Sequence, residues 1–366
     1  MNKSFTAGFI GLGLIGGSIA KALKHYYPEC TILAHTRSSK TTEYALREKI
    51  IDKACSQVDA SFSECDFVFL CAPVETNAAY LKELKPLLKE DCILTDAGST
   101  KTDIHQHIID MEMEEWFVGG HPMAGSEKTG IENAKLRLIE NAYYIITPSA
   151  KISSEKVQRY VDLVSSLKAI PLVLDYKEHD FVTAAISHLP HIIASTLVNL
   201  VHDEDTPNET MRTVAAGGFK DITRIASSSP EMWEQICTTN AENIITVLDA
   251  YTESLKKVRS QLADRNGAAI NQMFAHSREY RNSFSDLSSG PLKKVYVLYC
   301  DMVDEAGGIA TLATILATGG ISLRNIGIVH NREFEDAVLR VEFYEQEAQK
   351  KAAELLRKYH YTIYER

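Results

Sequence analysis

Between the apolar run Phe5-Thr-Ala-Gly-Phe-Ile10 and a helical segment over 14–26 lies Gly11-Leu-Gly13-Leu-Ile-Gly16-Gly17-Ser18. A strand, a Gly-x-Gly-x-x-Gly turn and a helix in immediate succession leave few folds open. The first glycine permits the tight turn, the second lets a pyrophosphate approach the backbone, and the third lets helix and strand pack closely. The helix N-terminus then faces the negative charge. The spacing predicts a dinucleotide-binding βαβ unit with Gly11, Gly13, Leu14, Ile15 and Gly16 against the cofactor.

Apolar strands at Thr31–His35, Phe67–Ala72 and Cys92–Asp96 follow, separated by helical stretches such as Thr76–Leu88. That alternation implies an α/β fold with a parallel, doubly wound Rossmann-type sheet. Strands at Ala142–Thr147 and Ile170–Leu174 are expected to complete it, giving a domain over 1–176. From 177 to 281 the pattern is helical, and two stretches, Phe181–Val201 and Ile236–Leu255, are apolar on several sides. Helices of that kind pack against another chain or build a large core, so a homodimer is expected. Residues 282–291, rich in Ser, Gly and Pro, read as a linker. Over 292–366 the order βαββαβ describes a ferredoxin-like module.

The chain's 366 residues exceed what one core usually spans. A formal net charge of −10 disfavours nucleic acid as a partner, because phosphate binding needs a basic surface. The seven cysteines are scattered without a Cys-x-x-Cys pair, which fits free thiols in a reducing cytoplasm. No signal peptide is expected, since glycines interrupt the N-terminal apolar run, and no run approaches the roughly 20 apolar residues of a membrane span.

One expected element of the dinucleotide site is missing. An acidic residue after the second strand would accept the ribose hydroxyls of NAD. Here that strand ends in His35-Thr36-Arg37-Ser38-Ser39. Arg37 with the serines could hold the extra phosphate of NADP, or Arg37 could stack beside the adenine or face solvent.

Four further motifs carry ionisable groups. Asp96-Ala-Gly98-Ser99-Thr-Lys101 ends a strand, where doubly wound sheets place ligands. Gly119-Gly-His121-Pro122-Met-Ala-Gly125 presents a histidine on a glycine-flanked loop, with Pro122 favouring an extended His121. Ser187-His188-Leu-Pro-His191 sets two imidazoles on one helical face. Gly217-Gly-Phe-Lys220-Asp-Ile-Thr-Arg224 places two cations one turn apart if helical, and Trp233 follows. Each has a plainer reading. Ser99 could cap a helix, His121 before Pro122 could be structural, His188 and His191 could be hydrogen-bonded core histidines, and Lys220 with Arg224 could form a solvated basic face. No recognisable zinc-ligand spacing is present.

In order and spacing these motifs resemble the prephenate dehydrogenase family, and the resemblance covers essentially the whole chain. It implies oxidative decarboxylation of prephenate to 4-hydroxyphenylpyruvate and CO2 with reduction of NAD, NADP staying open on Arg37 and Ser38. Arogenate, with an amino group in place of the keto group, is the nearest competing substrate, and a non-catalytic NAD or amino-acid sensor is the reading from another class. Under the resemblance His121 accepts the proton of the substrate hydroxyl, a role neutral imidazole suits. Ser99 bonds the same hydroxyl or orients the ring. Arg224 anchors a carboxylate bidentately. Lys220, His188, His191, His179, Gly217 and Trp233 complete the substrate side. The terminal module resembles an ACT domain, with tyrosine as the expected effector near Asp304, Gly308 and Asn325.

Overall fold

The computed structural model describes residues 4–126, 128–286, 296–302, 307–329 and 337–364. The chain divides into two compact units, Met1–Arg265 and Asn266–Arg366.

The first unit begins β1 (Thr6–Ile10), α1 (Leu14–Tyr26), β2 (Thr31–His35), α2 (Ser39–Arg47), β3 (Lys53–Cys55), β4 (Phe67–Leu70), α3 (Val74–Leu84), β5 (Ile93–Asp96) and α4 (Thr102–Asp110). Its five strands pair in parallel in the order β3-β2-β1-β4-β5. Burial on both faces accounts for the unbroken apolar runs: β4, Phe67-Val-Phe-Leu70, is buried throughout. The strand order reverses between β1 and β4, so a crevice opens beyond their carboxyl ends, where the glycine turn and Cys71-Ala-Pro73 emerge.

The second half of this layer departs from expectation. Instead of extending the parallel sheet, β6 (Val118–Pro122), β7 (Tyr143–Pro148) and β8 (Ile170–Val173) form a separate sheet in the order β6-β7-β8, with α5 (Ser154–Ser166) between the last two. β6 and β7 run antiparallel, β7 and β8 parallel. A single parallel bridge, Leu94 to Phe117, ties β5 to the residue preceding β6. His121 therefore lies on a strand rather than a loop. Val118-Gly-Gly-His-Pro122 looks unlike a strand because glycine and proline are poor strand formers. Packing overrides this: a Cβ on Gly120 would lie 2.7 Å from the Asp96 carbonyl oxygen and 2.8 Å from the Tyr160 hydroxyl.

The helical layer follows: α6 (Tyr176–Thr183), a π-helical turn at Ala184–His188, α7 (Leu189–Glu204), α8 (Thr210–Val214), α9 (Gly217–Thr223), α10 (Pro230–Thr239) and α11 (Ala241–Ala263). Asp175 caps α6 by accepting the amides of Lys177 and Glu178. The widened turn has a local cause. Pro190 has no N–H to donate, and its ring would clash with the carbonyl four residues back in a regular helix. His179, Asp180, Thr183, Ala184 and His188 of this run are buried in the unit, while Phe181, Ile186 and Leu200 are exposed. Tyr176–Glu204 is continuous over 29 residues and contains an 18-residue stretch of mean hydropathy 1.5. Among the described residues it is long and apolar enough, by length and composition, to cross a membrane, a test that the core helix of a soluble protein also passes, and it carries the buried His179, Asp180 and His188.

The second unit starts with α12 (Gly267–Asp286), which takes in the first half of the expected 282–291 linker; 287–291 lie outside the described residues. β9 (Tyr296–Met302), α13 (Gly308–Thr318), β10 (Asn325–Val329), β11 (Ala337–Phe343), α14 (Gln346–Lys358) and β12 (Ile363–Tyr364) follow in β-α-β-β-α-β order. The sheet is antiparallel, ordered β10-β11-β9-β12. Its helices bury Leu312, Leu316, Ala352 and Leu356 against Leu298, Leu339, Val341 and Phe343.

Candidate active site

The three glycines of the first turn serve three different needs. Gly11 has φ +88°, and a Cβ there would sit 2.8 Å from the Ala72 amide nitrogen. Gly13 is open, with nothing within 4 Å of an added Cβ. Gly16 is closed, its added Cβ 2.9 Å from the Gly11 carbonyl oxygen. Gly13 also stands at the N-cap of α1 with no side chain capping the helix, so the first amides stay available to an anion. A cleft of about 280 Å³ opens here, lined by Gly11, Gly13, Arg37, Ser38, Ala72 and Tyr80 among others. This arrangement fits a dinucleotide. Leu14, Ile15 and Gly16, also expected against the cofactor, are not among the residues that line it. Ser38 has a structural task, its hydroxyl accepting the Thr41 amide at 3.3 Å to cap α2. Arg37 is exposed at the cleft. His35 is buried in the wall, with Nδ1 3.1 Å from the Cys55 carbonyl and Nε2 2.9 Å from the Tyr80 hydroxyl.

Next to this cleft, where Leu70 pairs with Asp96 at the strand ends, a polar cluster is buried. The Lys101 ammonium is fully enclosed, donating to Asp96 and, at 2.9 Å, to the Gly120 carbonyl. Asp96 also accepts the amides of Gly98 at 2.9 Å and Gly120 at 3.1 Å. One buried ion pair thus fixes the turn after β5 and the strand that carries His121. The His121 Nδ1 lies 2.8 Å from His179 Nε2, and His179 Nδ1 lies 2.8 Å from Asp180 Oδ1. Asp180 in turn accepts the amides of Lys101 and Thr102, both at 2.7 Å. Asn240 donates to the Asp180 carbonyl at 2.8 Å and lies 3.2 Å from His188 Nδ1.

The electrostatics of this cluster favour neutral imidazoles. Loss of hydration, then His179, Lys101 and His188, push His121 well below its ordinary value. Burial lowers His179 against the upward pull of Asp180, and burial takes His188 down to about 4. Burial opposes ionisation of Asp180, but bonds from His179, Thr102 and Lys101 outweigh it and hold the carboxyl below its usual range.

A second group sits further along the helices. His191 stacks on Trp233 with ring centres 3.9 Å apart, and His188 meets the same indole edge-on at 5.9 Å. The indole Nε1 is buried with no acceptor among the described residues. Burial and the Arg224 charge lower His191. Arg224 follows α9 in a short 3-10 turn and is exposed, as are Lys220 and Gly217.

His121, His179 and His188 are therefore brought together, and His191, Trp233 and Arg224 form a neighbouring set. Ser99 is partly buried, but its hydroxyl makes no bond to His121 among the described residues, and it does not cap α4, whose N-cap is Lys101. His179, expected to steer substrate, has both ring nitrogens engaged inside the protein. Lys101, Asp96, Asp180 and Asn240 were not among the expected site residues. Sequence gives little signal for them: Asp180 closes the polar run Lys177-Glu-His-Asp180 just before the apolar Phe181-Val-Thr-Ala-Ala. In the second unit Gly308 is the buried first residue of α13 and Asn325 opens β10, its side chain accepting the Ile326 amide at 2.9 Å. Asp304 lies outside the described residues.

Comparison with known proteins gives a consistent result. A family profile for the prephenate dehydrogenase nucleotide-binding domain matches residues 19–172, and one for the dimerisation domain matches residues 175–276. The prephenate dehydrogenase of Bacillus subtilis is 35% identical over 94% of this chain and 94% of its own length. Among solved structures, that of the Aquifex aeolicus prephenate dehydrogenase in complex with hydroxyphenyl propionate and NAD+ superposes with TM-score 0.72 at 29% identity, covering 76% of this chain and 98% of its own. The Synechocystis arogenate dehydrogenase reaches TM-score 0.68 at 26% identity, over 76% of this chain and 99% of its own. With identity at that level sustained along nearly its full length, the chain belongs to the prephenate dehydrogenase family.

Proposed function

We propose that the chain is an NAD-dependent prephenate dehydrogenase that converts prephenate to 4-hydroxyphenylpyruvate and CO2. The observation that carries this is a neutral His121 held by His179 beside a dinucleotide cleft, in a chain of this family. Bound NAD supplies the hydride acceptor. His121 takes the proton of the substrate hydroxyl as hydride leaves the same carbon, and returns it to the phenolate oxygen once CO2 has departed. Aromatisation drives that loss, so the protein has only to hold the carboxylates. Arg224 anchors one of them, with Lys220 near the mouth. Trp233 Nε1, a buried donor, and the His188–His191 face meet the remaining polar end, with Gly217 and Ser99 at its margins.

Exposed apolar side chains on the helices, including Ile186, Leu200, Ile222, Ile245 and Leu262, support assembly as a homodimer. The β-α-β-β-α-β order of the second unit supports an ACT-type regulatory module binding tyrosine near Gly308 and Asn325. The match to the Bacillus protein runs over 348 residues, more than the first 291 can supply. The reading also places the enzyme in the cytoplasm. Arogenate is the second substrate to test, since an arogenate dehydrogenase shares the fold.

Nicotinamide reduction, followed with prephenate or arogenate against NAD or NADP, with and without tyrosine, tests all of this. Prephenate-dependent NADH formation suppressed by tyrosine is expected. Turnover only with NADP would assign Arg37 to the ribose phosphate, and turnover only with arogenate would replace the substrate.

A further inference from the structure

The geometry points to His179 and Asp180 as positioning residues that lock His121 in its Nδ1–H tautomer, leaving the Nε2 lone pair free for the substrate proton. The inference rests on the proposed reaction for what that lone pair does, but the tautomer itself can be read without any substrate.

The argument starts at the far end of the line. Both oxygens of Asp180 face backbone N–H donors at the first turn of α4, Oδ1 taking the Lys101 amide and Oδ2 the Thr102 amide, each at 2.7 Å. An ionised carboxylate can only accept, and a helix N-terminus favours its charge. The bond at 2.8 Å to His179 therefore has Nδ1–H as donor. The neutral His179 ring then has only a lone pair left at Nε2. That nitrogen lies 2.8 Å from His121 Nδ1, so His121 donates there. Neutral imidazole carries one N–H, and the proton at Nδ1 empties Nε2. Each link follows from the one before, and the first is set by backbone amides that no titration can change.

Burial, with Lys101 and His188 among the facing groups, keeps the line neutral until substrate arrives, against the pull of the facing anions. Lys101 approaches from α4 and is tied to Asp96 of β5 and to the Gly120 carbonyl of β6. His188 lies on the π-helical turn, and His105, one turn into α4, bonds the Thr147 hydroxyl at 2.9 Å. Asp96 and Asp180 are the facing anions. When His121 takes up the hydroxyl proton, the new imidazolium donates to His179, and the fixed charge of Asp180 stands one ring further on. His179 is enclosed with both nitrogens used, so it orients the base rather than touching substrate.

The test uses the full-length protein labelled with 15N-histidine, together with steady-state kinetics. In the unsubstituted protein the NMR spectrum should show His121 with a protonated Nδ1 and a bare, pyridine-type Nε2. Asp180→Asn removes the charge and leaves one acceptor oxygen for the Lys101 amide, the Thr102 amide and His179 Nδ1–H, which weakens the bond that fixes the tautomers of His179 and His121. We expect kcat to fall on the order of a hundredfold or more with the KM for NAD unchanged. His179→Gln keeps an acceptor near the Nε2 position and should recover most of the kcat that His179→Leu loses. A protonated Nε2 on His121 in the unsubstituted protein would overturn the inference, as would equal kcat in the Gln and Leu variants. Should Asp180→Asn not fold, the spectrum and the Gln–Leu pair decide. If no substrate is turned over, the proposed reaction fails while the spectrum still judges the tautomer.

Discussion

In the dinucleotide cleft, function is carried by backbone. Along the histidine line it is carried by side chains. Gly11, Gly13 and Gly16 lie within six consecutive residues and work by having no side chain: one turns, one leaves room, one packs. The line from Asp180 through His179 to His121 joins α6 to β6, and its anchor reaches back 79 residues to the Lys101 amide. The first site is built around one contiguous turn, with Gly11 also lying against Ala72. The second depends on three elements docking in one register, so it is exposed to changes far from the chemistry.

Three substitutions would sharpen or break that contrast. The largest effect should come from His121→Asn, which removes the proposed base but leaves the glycine turn intact. The expected loss in kcat is about 10²–10⁴-fold, with NAD affinity by fluorescence titration unchanged. A parallel loss of NAD binding would mean the two regions are not separable. Next is Lys101→Met, which leaves the enclosed Asp96 without its cation. Breaking a buried pair costs about 3–5 kcal/mol, measurable by urea denaturation, and should disorder the strand carrying His121. Unchanged stability would show that the Gly98 and Gly120 amides alone satisfy Asp96. The smallest effect is expected from Gly11→Ala, where a positive φ and a close Ala72 amide together cost roughly 1–3 kcal/mol. NAD affinity should drop there while the tautomer of His121 persists.

The same contrast explains what could be read in the chain. The β1–α1 turn was legible because strand, glycines and helix are contiguous and each glycine has a local reason to be there. The helical middle region and the β-α-β-β-α-β order of the second unit were legible from periodicity. β6 was not, because Gly119, Gly120 and Pro122 argue locally for a loop and only packing against Asp96 and Tyr160 makes them a strand. Sequence points to Ser99, in a motif at a strand end, as a group that bonds the substrate hydroxyl or orients the His121 ring. Nothing in sequence spacing says that a residue 58 positions after His121 will bond its ring. Lys101 stands in the motif after β5, but a buried lysine becomes visible as a site residue only when the Asp96 carboxylate is seen opposite it.

The π-helical turn at Ala184–His188 has a consequence in angular terms. In an uninterrupted α-helix each residue advances about 100°, which would put His179 and His188 about 180° apart, on opposite faces. The wide turn absorbs one residue and brings that angle down to about 80°. Counted the same way, Asp180 and His188 move from about 80° apart to about 20°, and a single asparagine, Asn240, reaches both the Asp180 carbonyl and the His188 ring. One surplus residue thus acts as a phase shifter: it aligns two stretches of helix that would otherwise face away from each other. Pro190, which makes the regular turn costly, holds that phase.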